Sequence, residues 1–267
     1  MRRILVTNDD GYQAKGIAAL VEILKSFGEV TVVAPKQHQS GMSMAVSLGW
    51  KPVAVKDLGM IDGAHWIYVD GTPASAAKYA VDVVFKDNLP DLVVSGINHG
   101  SNASTAMWYS GTIGAAREAA LARIPAVAVS LDNMHRDADF SAVEELFPSI
   151  LQTLIDNFPK DKSLVYNVNF PDVSASEIKG VRVCTQGVEK WVDEFVTPEQ
   201  LDMDIQVELE EGETVYFMAG DVVPDPANND LTDNYANDHG YIAITPQSMD
   251  NTDMEEFGRL SKLQIFK

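Results

Sequence analysis

The sequence predicts an α/β protein with a Rossmann-like, doubly wound and mostly parallel sheet, followed by a strand-rich C-terminal extension that carries arms. Short apolar runs rich in β-branched residues recur through the first 170 residues, and helical patterns separate them, which is typical of βαβ units. Beyond residue 170 the helical patterns thin out and short strand-like runs appear. We therefore expect a core over residues 1–170 and a mixed extension over residues 171–267, which can also be counted together as one domain. Arms of this kind often serve oligomer contacts.

The first βαβ unit is the clearest part of the pattern. Residues 3–7 form a buried strand, residues 16–27 place apolar side chains at helical spacing, and residues 29–33 form a second strand. The polar residues 36–49 have no strong periodicity, so we expect a loop over the carboxyl edge of the sheet.

The later elements follow in the same alternation. Thr72 and Pro73 indicate a helix start over residues 74–85, because a capping hydroxyl precedes a proline at the first helical position. The helix that begins at residues 110–112 is rich in alanine, which indicates close packing against the sheet. The remaining core predictions are a hairpin at 53–55 and 66–69, strands at 91–95, 126–129 and 164–169, and a helix at 140–158. In the extension we expect strands at 181–183, 215–218 and 241–244, a polar segment at 225–239 and a helix at 252–263.

Composition limits the class of protein. The chain has 267 residues, 46% of them hydrophobic, which is ordinary for a globular protein, and no apolar run approaches the roughly 20 residues of a membrane helix. The N-terminus enters a strand at once, and Cys184 is the only cysteine, so we expect a cytoplasmic protein without membrane contact. The net charge of −19 repels nucleic-acid backbones and argues against polymeric DNA or RNA as a partner.

Two adjacent carboxylates, Asp9 and Asp10, stand at the carboxyl end of the first strand. Taken alone, residues 8–11 are typical of a plain turn, because Asx side chains bond their own backbone and glycine supplies positive φ. Two further loops at the same edge supply Ser40 and Asn98, and ligands of open α/β sheets bind outside these strand ends. Two carboxylates, a hydroxyl and an amide carbonyl form the all-oxygen set that Mg²⁺ or Mn²⁺ prefers. The sequence contains no cluster of His and Cys residues of the kind that would indicate a zinc site.

A second candidate feature is the helix start at residues 109–112. Backbone N–H groups are unsatisfied at a helix N-terminus and its dipole favours an anion, so a phosphate fits there, with Ser110 and Thr112 adding hydroxyl donors. An ordinary N-cap accounts for the same residues. A metal beside a phosphate pocket would indicate metal-assisted phosphoester chemistry.

The motifs, in order and at compatible spacings over nearly the whole chain, resemble the SurE family of stationary-phase survival proteins. That resemblance implies a Rossmann-like core with extended C-terminal arms, assembled as a homodimer or homotetramer. It also implies a metal-dependent phosphatase that hydrolyses nucleoside 5′- and often 3′-monophosphates, and sometimes short polyphosphate. The motifs are Asn8-Asp9-Asp10-Gly11, Ala34-Pro35, Gln39-Ser40-Gly41-Met42-Ser43, Gly71-Thr72-Pro73, Ser95-Gly96-Ile97-Asn98 with Asn102, Tyr109-Ser110-Gly111-Thr112, Thr232-Asp233 and Gly240-Tyr241-Ile242 with Ile244-Thr245-Pro246.

The resemblance assigns roles to individual residues. One divalent ion per subunit, Mg²⁺ or Mn²⁺, would be held by Asp9, Asp10, Ser40 and Asn98, and a metal-activated water would attack the phosphate. Among these residues Asp9, Asp10 and Asn98 would be catalytic. The phosphate contacts would be Asn102, Ser110, Gly111 and Thr112, and the supporting or substrate-side groups would be Asn8 and Ser43.

The sequence departs from the family pattern between Asn102 and Tyr109, which puts substrate preference in doubt. Met107 and Trp108 in this stretch are expected to serve packing, with a nucleobase pocket as the alternative. For His99 we expect a solvated loop histidine, with a general acid for the leaving alkoxide as the alternative. His239, inside a late shared motif, carries no assigned role.

Two other functions, and one other mechanism for the same reaction, agree less well with the sequence. A receiver-type signalling domain needs an aspartate at the end of its third strand, where this chain has Ser95-Gly96-Ile97-Asn98. A nucleotide-binding regulatory module without turnover is disfavoured because the opening turn lacks the G-x-G-x-x-G fingerprint. A covalent mechanism with Asp9 as the nucleophile is disfavoured, because two acids that bind one ion leave little room for in-line attack.

Overall fold

The computed structural model describes residues 1–49, 51–203 and 207–263, so part of the predicted extension, residues 204–206 and 264–267, lies outside the described residues. The described strands are β1 Arg2–Thr7, β2 Gly28–Pro35, β3 Val55–Ile61, β4 Ala64–Val69, β5 Leu92–His99, β6 Ala126–Leu131, β7 Leu164–Phe170, β8 Val181–Val183, β9 Glu189–Val192, β10 Phe195–Val196, β11 Phe217–Met218, β12 Asp221–Pro224 and β13 Ile242–Ser248. The described α-helices are α1 Lys15–Leu24, α2 Pro73–Tyr79, α3 Gly111–Leu121, α4 Ser141–Asp156, α5 Asp233–Asp238 and α6 Met254–Leu260.

The described strands build one large, mostly parallel sheet of nine strands, in the order β3-β4-β2-β1-β5-β6-β7-β13-β8. Only the pairs β3–β4 and β7–β13 are antiparallel within it. The chain winds outward from β1 to β2 and β4, then returns to the other side of β1 as β5. The predicted fold class is therefore confirmed, and the change of winding direction makes a crevice between the carboxyl ends of β1 and β5, where ligands of such sheets bind.

The two faces of the sheet bury separate hydrophobic clusters. Ile4 and Val6 of β1 pack with α1 and α4 on one face, and Leu5 packs with α2 and α3 on the other, as the alternation of side chains in a strand requires. The alanines of α3 are fully buried, which confirms the predicted close packing of that helix.

The strands of the extension are divided between the core sheet and two small sheets of their own. β8 and β13 add to the far edge of the core sheet, while β9 with β12 and β10 with β11 form two small antiparallel ladders. The polar segment 225–239, for which the sequence predicted no element, contains α5. The buried carboxylate of Asp233, at the start of α5, accepts hydrogen bonds from the backbone N–H groups of Ser104 and Gly187, and so ties the extension to the core.

Element ends differ from the predictions where the backbone changes hydrogen-bonding pattern. The helix predicted over 74–85 is α-helical only to Tyr79 and continues as a π-helical segment, Ala80–Val84. Residues 36–49 form the predicted loop. In the part of the chain that the structure describes, we find no helix whose length and apolar character would let it span a membrane.

Candidate active site

The loop 8–11 after β1 is a turn held by its own side chain. Asn8 is fully buried, its Nδ2 donates to the carbonyl of Gly11 at 2.9 Å, and its Oδ1 accepts the backbone N–H of Gly11 at 3.2 Å. Gly11 has φ of +98°, and a Cβ there would lie 3.2 Å from the backbone of Gln37. Asn8 thus shapes the loop 8–11, and this loop presents the carboxylates of Asp9 and Asp10.

Asp9 points at the N-terminus of α3. Its Oδ1 accepts a hydrogen bond of 2.5 Å from the hydroxyl of Thr112, and its side chain is buried. A Cβ on Gly111 would lie 2.8 Å from the Cβ of Asp9, so only a glycine lets the helix approach this closely. The helix start that the sequence predicts as a phosphate site is therefore in direct contact with the predicted metal ligand.

The carboxylate of Asp9 has no cationic partner. Among the described residues, no Lys, Arg or His nitrogen lies within 4 Å of it. The pKa of Asp9 is raised from its ordinary 3.8 to about 6, because burial and, to a smaller extent, the negative charge of Asp10 together outweigh the opposing effect of the Thr112 hydrogen bonds. A buried carboxylate without a counter-charge is costly, so this position favours a bound cation.

Asn98 reaches the same place from β5. Its Nδ2 donates to the carbonyl of Gly100 at 2.7 Å, and its Oδ1 lies 3.5 Å from the hydroxyl of Thr112. The anchored amide nitrogen leaves the carbonyl oxygen facing Thr112, which Asp9 also contacts. Asp9 and Asn98, 89 positions apart in the chain, are thus brought together at the crevice between β1 and β5.

Asp10 lies between two histidines. Its Oδ2 is 3.0 Å from Nδ1 of His99 and accepts the backbone N–H of His99 at 3.2 Å, and its Oδ1 is 3.2 Å from Nδ1 of His38. The expectation of a solvated loop histidine at 99 is wrong: the side chain is 11% exposed and packs edge-on against Phe140. His38 carried no role in the sequence-based prediction, and its only signal was its place in the loop after β2, at the same edge.

Ser40 is exposed and shares a cavity of about 620 Å³ with Asp10. The volume is typical of sites for small molecules. Ser40 comes from the loop after β2 and so approaches from the opposite side to Asn98. The cavity is lined by Asp10, Gln13, Ala14, Lys15, His38, Ser40, His99, Met134 and Arg136.

Other predicted site residues have structural partners. The Asn102 Nδ2 donates to Ser130 at 2.9 Å within a buried network of asparagines, and the Ser110 hydroxyl accepts the N–H of Ile113 as an N-cap. Ser43 has φ of +50° and donates its N–H to the carbonyl of Tyr109, which seats the loop 36–49 on the start of α3.

Met107, Trp108 and His239 lie outside this cluster of contacts. Met107 is buried in the core, as predicted, whereas Trp108 is 42% exposed and lies under the guanidinium of Arg117. His239 directly follows α5 and stacks on Tyr235 of that helix.

The donor set fits a hard divalent cation. Asp9, Asp10 and Asn98 offer carboxylate and amide oxygens at one edge, and the uncompensated charge on Asp9 calls for a positive partner. Within the described ranges, no group of three or more His, Cys, Asp and Glu side chains is arranged to hold a metal ion. A metal site here therefore has to include amide, hydroxyl or water oxygens besides the two carboxylates.

The stability of the metal-free protein is expected to fall with rising pH because of Asp9. The folded state keeps the Asp9 proton up to a pKa of about 6, whereas the unfolded chain releases it near 3.8. The stabilising contribution is complete below the lower value and is lost as the pH rises through the upper one, about 3 kcal/mol in total and roughly half of it between pH 5 and pH 7.5.

Urea unfolding in EDTA at those two pH values measures this contribution. Asp9→Asn removes the titrating group, so the free energy of unfolding of the variant should decrease less over the same interval. Parallel pH profiles of the wild type and the variant would contradict the assignment of this effect to Asp9.

Comparisons with known proteins agree with one another over nearly the full length. The sequence profile of the family described as Survival protein SurE matches residues 4–193. The chain is 39% identical over 259 residues to the 5′-nucleotidase SurE of Cytophaga hutchinsonii, covering 97% of this chain and 95% of that protein. It is 36% identical over 266 residues to the 5′-nucleotidase SurE of Alkaliphilus metalliredigens, covering 99% and 100%. The crystal structure of the SurE protein from Aquifex aeolicus superposes with a TM-score of 0.79 at 29% identity, covering 98% of this chain and 99% of that chain.

Proposed function

Because this chain belongs to the SurE family, we propose that it is a phosphomonoesterase that hydrolyses nucleoside 5′-monophosphates to nucleoside and phosphate with the help of a divalent metal ion. The observation that carries the proposal is the buried Asp9 carboxylate, which shares Thr112 with Asn98 at the crevice between β1 and β5. Activity on 3′-monophosphates and short polyphosphate belongs to the same proposal.

The proposed metal ligands are Asp9, Asp10, Ser40 and Asn98, with one Mg²⁺ or Mn²⁺ ion per chain. When bound, such an ion would offset the negative charge of phosphoryl oxygens and would make a nearby water acidic enough to serve as the nucleophile. The Thr112 hydroxyl donates to Asp9 and so holds the orientation of that carboxylate, whereas the Gly100 carbonyl accepts from Nδ2 of Asn98 and so holds the orientation of that amide. His38 and His99 hold the two oxygens of Asp10 from opposite sides.

The proposed phosphate contacts lie at the start of α3. Ser110, Gly111 and Thr112 combine backbone N–H groups, hydroxyls and the positive end of the helix dipole next to Asp9, which suits a dianionic phosphate once a cation is present. Asn102 would also contact the phosphate if its Nδ2 exchanged the hydrogen bond to Ser130 for one to the phosphate. Asn8 and Ser43 support the site by fixing the loops 8–11 and 36–49.

The division at residue 170 and the oligomer are also part of the proposal. Residues 1–170 carry all of the proposed site residues, and residues 171–267 supply the two small ladders, β9 with β12 and β10 with β11. Trp191 and Phe195 on these ladders are exposed apolar side chains, which supports a role of the arms in homodimer or homotetramer contacts.

The reaction is tested by phosphate release from a panel of nucleoside 5′- and 3′-monophosphates with Mg²⁺, with Mn²⁺ and with EDTA. We expect metal-dependent release that EDTA abolishes, because Asp9 and Asp10 cannot approach a phosphate without a cation between them. Release that is equal in EDTA would contradict the role of the metal. No release from any substrate with any metal would contradict the reaction itself and favour a binding protein without turnover.

A further inference from the structure

A cavity of about 330 Å³ lies at the amino ends of four neighbouring strands, β1, β5, β6 and β7, on the opposite edge of the sheet from Asp9. Six or seven residues of extended chain separate the two edges, a distance of about 20 Å. This second cavity therefore shares no residue with the proposed active site. Its lining residues are Arg2, Asp91, Leu92, Arg123, Pro125, Ile155, Phe158, Pro159, Lys160, Asp161, Lys162 and Ser163.

The second cavity is locally cationic in a strongly acidic protein. Four basic side chains, Arg2, Arg123, Lys160 and Lys162, line it, against the carboxylates of Asp91 and Asp161, while the whole chain carries a net charge of −19. Asp91 is already bonded to Arg3. In the described part of the chain, none of the four basic groups has a carboxylate within 4 Å. Their charges are therefore available to an anion.

Arg123 is held in an unusual conformation at this place. It has φ of +60°, a left-handed conformation that glycine or asparagine adopts at lower cost. The residue lies directly between α3 and β6, where a short connection turns into the sheet. The connection thus places a long cationic side chain on the wall of the cavity.

The floor of the second cavity is apolar. Leu92, Pro125, Ile155 and Phe158 contribute to it, and the ring of Phe158 is fixed edge-on against Tyr166 at 5.2 Å between centroids. Small-molecule sites combine an apolar floor of this kind with a few charged groups. A bare inorganic anion would use the cations and leave the floor without a partner, whereas a phosphorylated ligand with an apolar ring would use both.

We propose that this cavity is a second binding site for a nucleoside phosphate, with Arg123, Lys160 and Lys162 contacting the phosphate and Phe158 contacting the base. The site is separate from the proposed active site and does not depend on the proposed reaction. β1 and β5 run from this edge of the sheet to the edge that carries Asp9 and Asn98.

The test counts binding sites with a ligand that cannot be hydrolysed. Equilibrium dialysis with a phosphonate analogue of AMP, on the full chain with Mg²⁺, compares the wild type with the double variant Arg123→Asn and Lys162→Gln. Asparagine tolerates the left-handed conformation, so the variant should fold. We expect it to lose one site per chain, or to bind at that site at least about tenfold more weakly, because it lacks two charge-assisted contacts.

Two matched variants separate this site from other effects. Lys56→Gln with Lys262→Gln removes two exposed charges elsewhere and should leave both the number of sites and their affinity unchanged. Asp9→Asn alters the proposed active site and should leave the second site intact. If the proposed reaction is wrong, only the binding of the analogue at the active site is affected. The difference in the number of bound analogue molecules between the wild type and the double variant would remain.

Competition identifies the chemistry of the ligand. We expect the analogue to bind the second site at least about tenfold more tightly than inorganic phosphate or adenosine does. Phe158→Leu should weaken the binding of the analogue but leave the binding of inorganic phosphate unchanged. Equal affinity for inorganic phosphate would overturn the assignment of a nucleoside. A double variant that loses thermal stability but binds like the wild type would overturn the site itself, and would show that the cations only offset the C-terminal dipoles of α3 and α4.

Discussion

Replacing Asp9 with asparagine is expected to lower metal-dependent phosphate release about 100-fold or more while leaving the protein folded. The amide keeps the shape of the side chain, so Thr112 can still approach it, but the negative charge that attracts a divalent ion is gone. The same change removes a buried, uncompensated charge at neutral pH, so the metal-free variant should be more stable than the wild type.

Asp9→Asn is expected to lower phosphate release but to raise the stability of the metal-free protein, and these opposite signs make the experiment specific. A change that merely damages the fold lowers activity and stability together. The matched control is Asp87→Asn, at an exposed aspartate, which should change neither phosphate release nor the urea midpoint. Asp9→Asn with full activity would remove the carboxylate from the reaction, and a trapped phosphoaspartate in the wild type would replace the activated water with a covalent mechanism.

Replacing Gly16 with alanine is expected to destabilise the protein by about 1–3 kcal/mol and to lower activity as well. Gly16 lies in the first turn of α1, and a Cβ there would fall far inside contact distance of the carbonyl oxygen of Ile97, with the ring of Phe140 at 3.4 Å. Because that carbonyl belongs to a central strand, the helix has to move away from β5. Asn98 follows Ile97 directly, so the movement also disturbs the proposed metal site.

Gly258→Ala is the matched control for Gly16→Ala. Gly258 also lies in a helix, α6, but nothing lies within 4 Å of the position of its Cβ, so alanine should stabilise the protein by roughly 0.5–1 kcal/mol through helix propensity. Urea unfolding of both variants and phosphate release from AMP measure the contrast. Equal stability changes at Gly16 and Gly258 would contradict the close packing of α1 on β5.

The core fold could be predicted because its signals are local. Buried parallel strands appear in the sequence as apolar runs, and α1 and α4 appear as apolar stripes, so the strands from β1 to β7 and their helices were predicted in order. The exception is β3, which shares only Val55 with the strand predicted at 53–55. The end of β5 was not found, because Asn98 and His99 look like loop residues, yet they pair with Ser130 and Leu131 of β6 beyond a break in register. α5 was missed for a related reason, since its buried Asp233 is satisfied by backbone groups of distant segments.

The candidate site likewise has features that could be predicted from the sequence and features that could not. The residue types could be predicted, because carboxylates, a hydroxyl and an amide after neighbouring strands indicate a site for a hard cation. Their partners could not. The bond of Asp9 to Thr112 spans 103 positions and that of Asp10 to His99 spans 89, and no local pattern encodes contacts at those separations. The assignment of these residues to metal and phosphate stays a prediction.

The sequence by itself determined the class of fold, the family and the edge of the sheet where the chemistry is expected, because strand order and turn chemistry follow from patterns of a few residues. Only the tertiary structure decided that the start of α3 contacts Asp9, that two histidines hold Asp10, and that β8 and β13 extend the core sheet. It also placed four cations around an apolar floor at the opposite edge. Those arrangements depend on how strands and helices pack across the sheet, which brings together residues that share no local pattern.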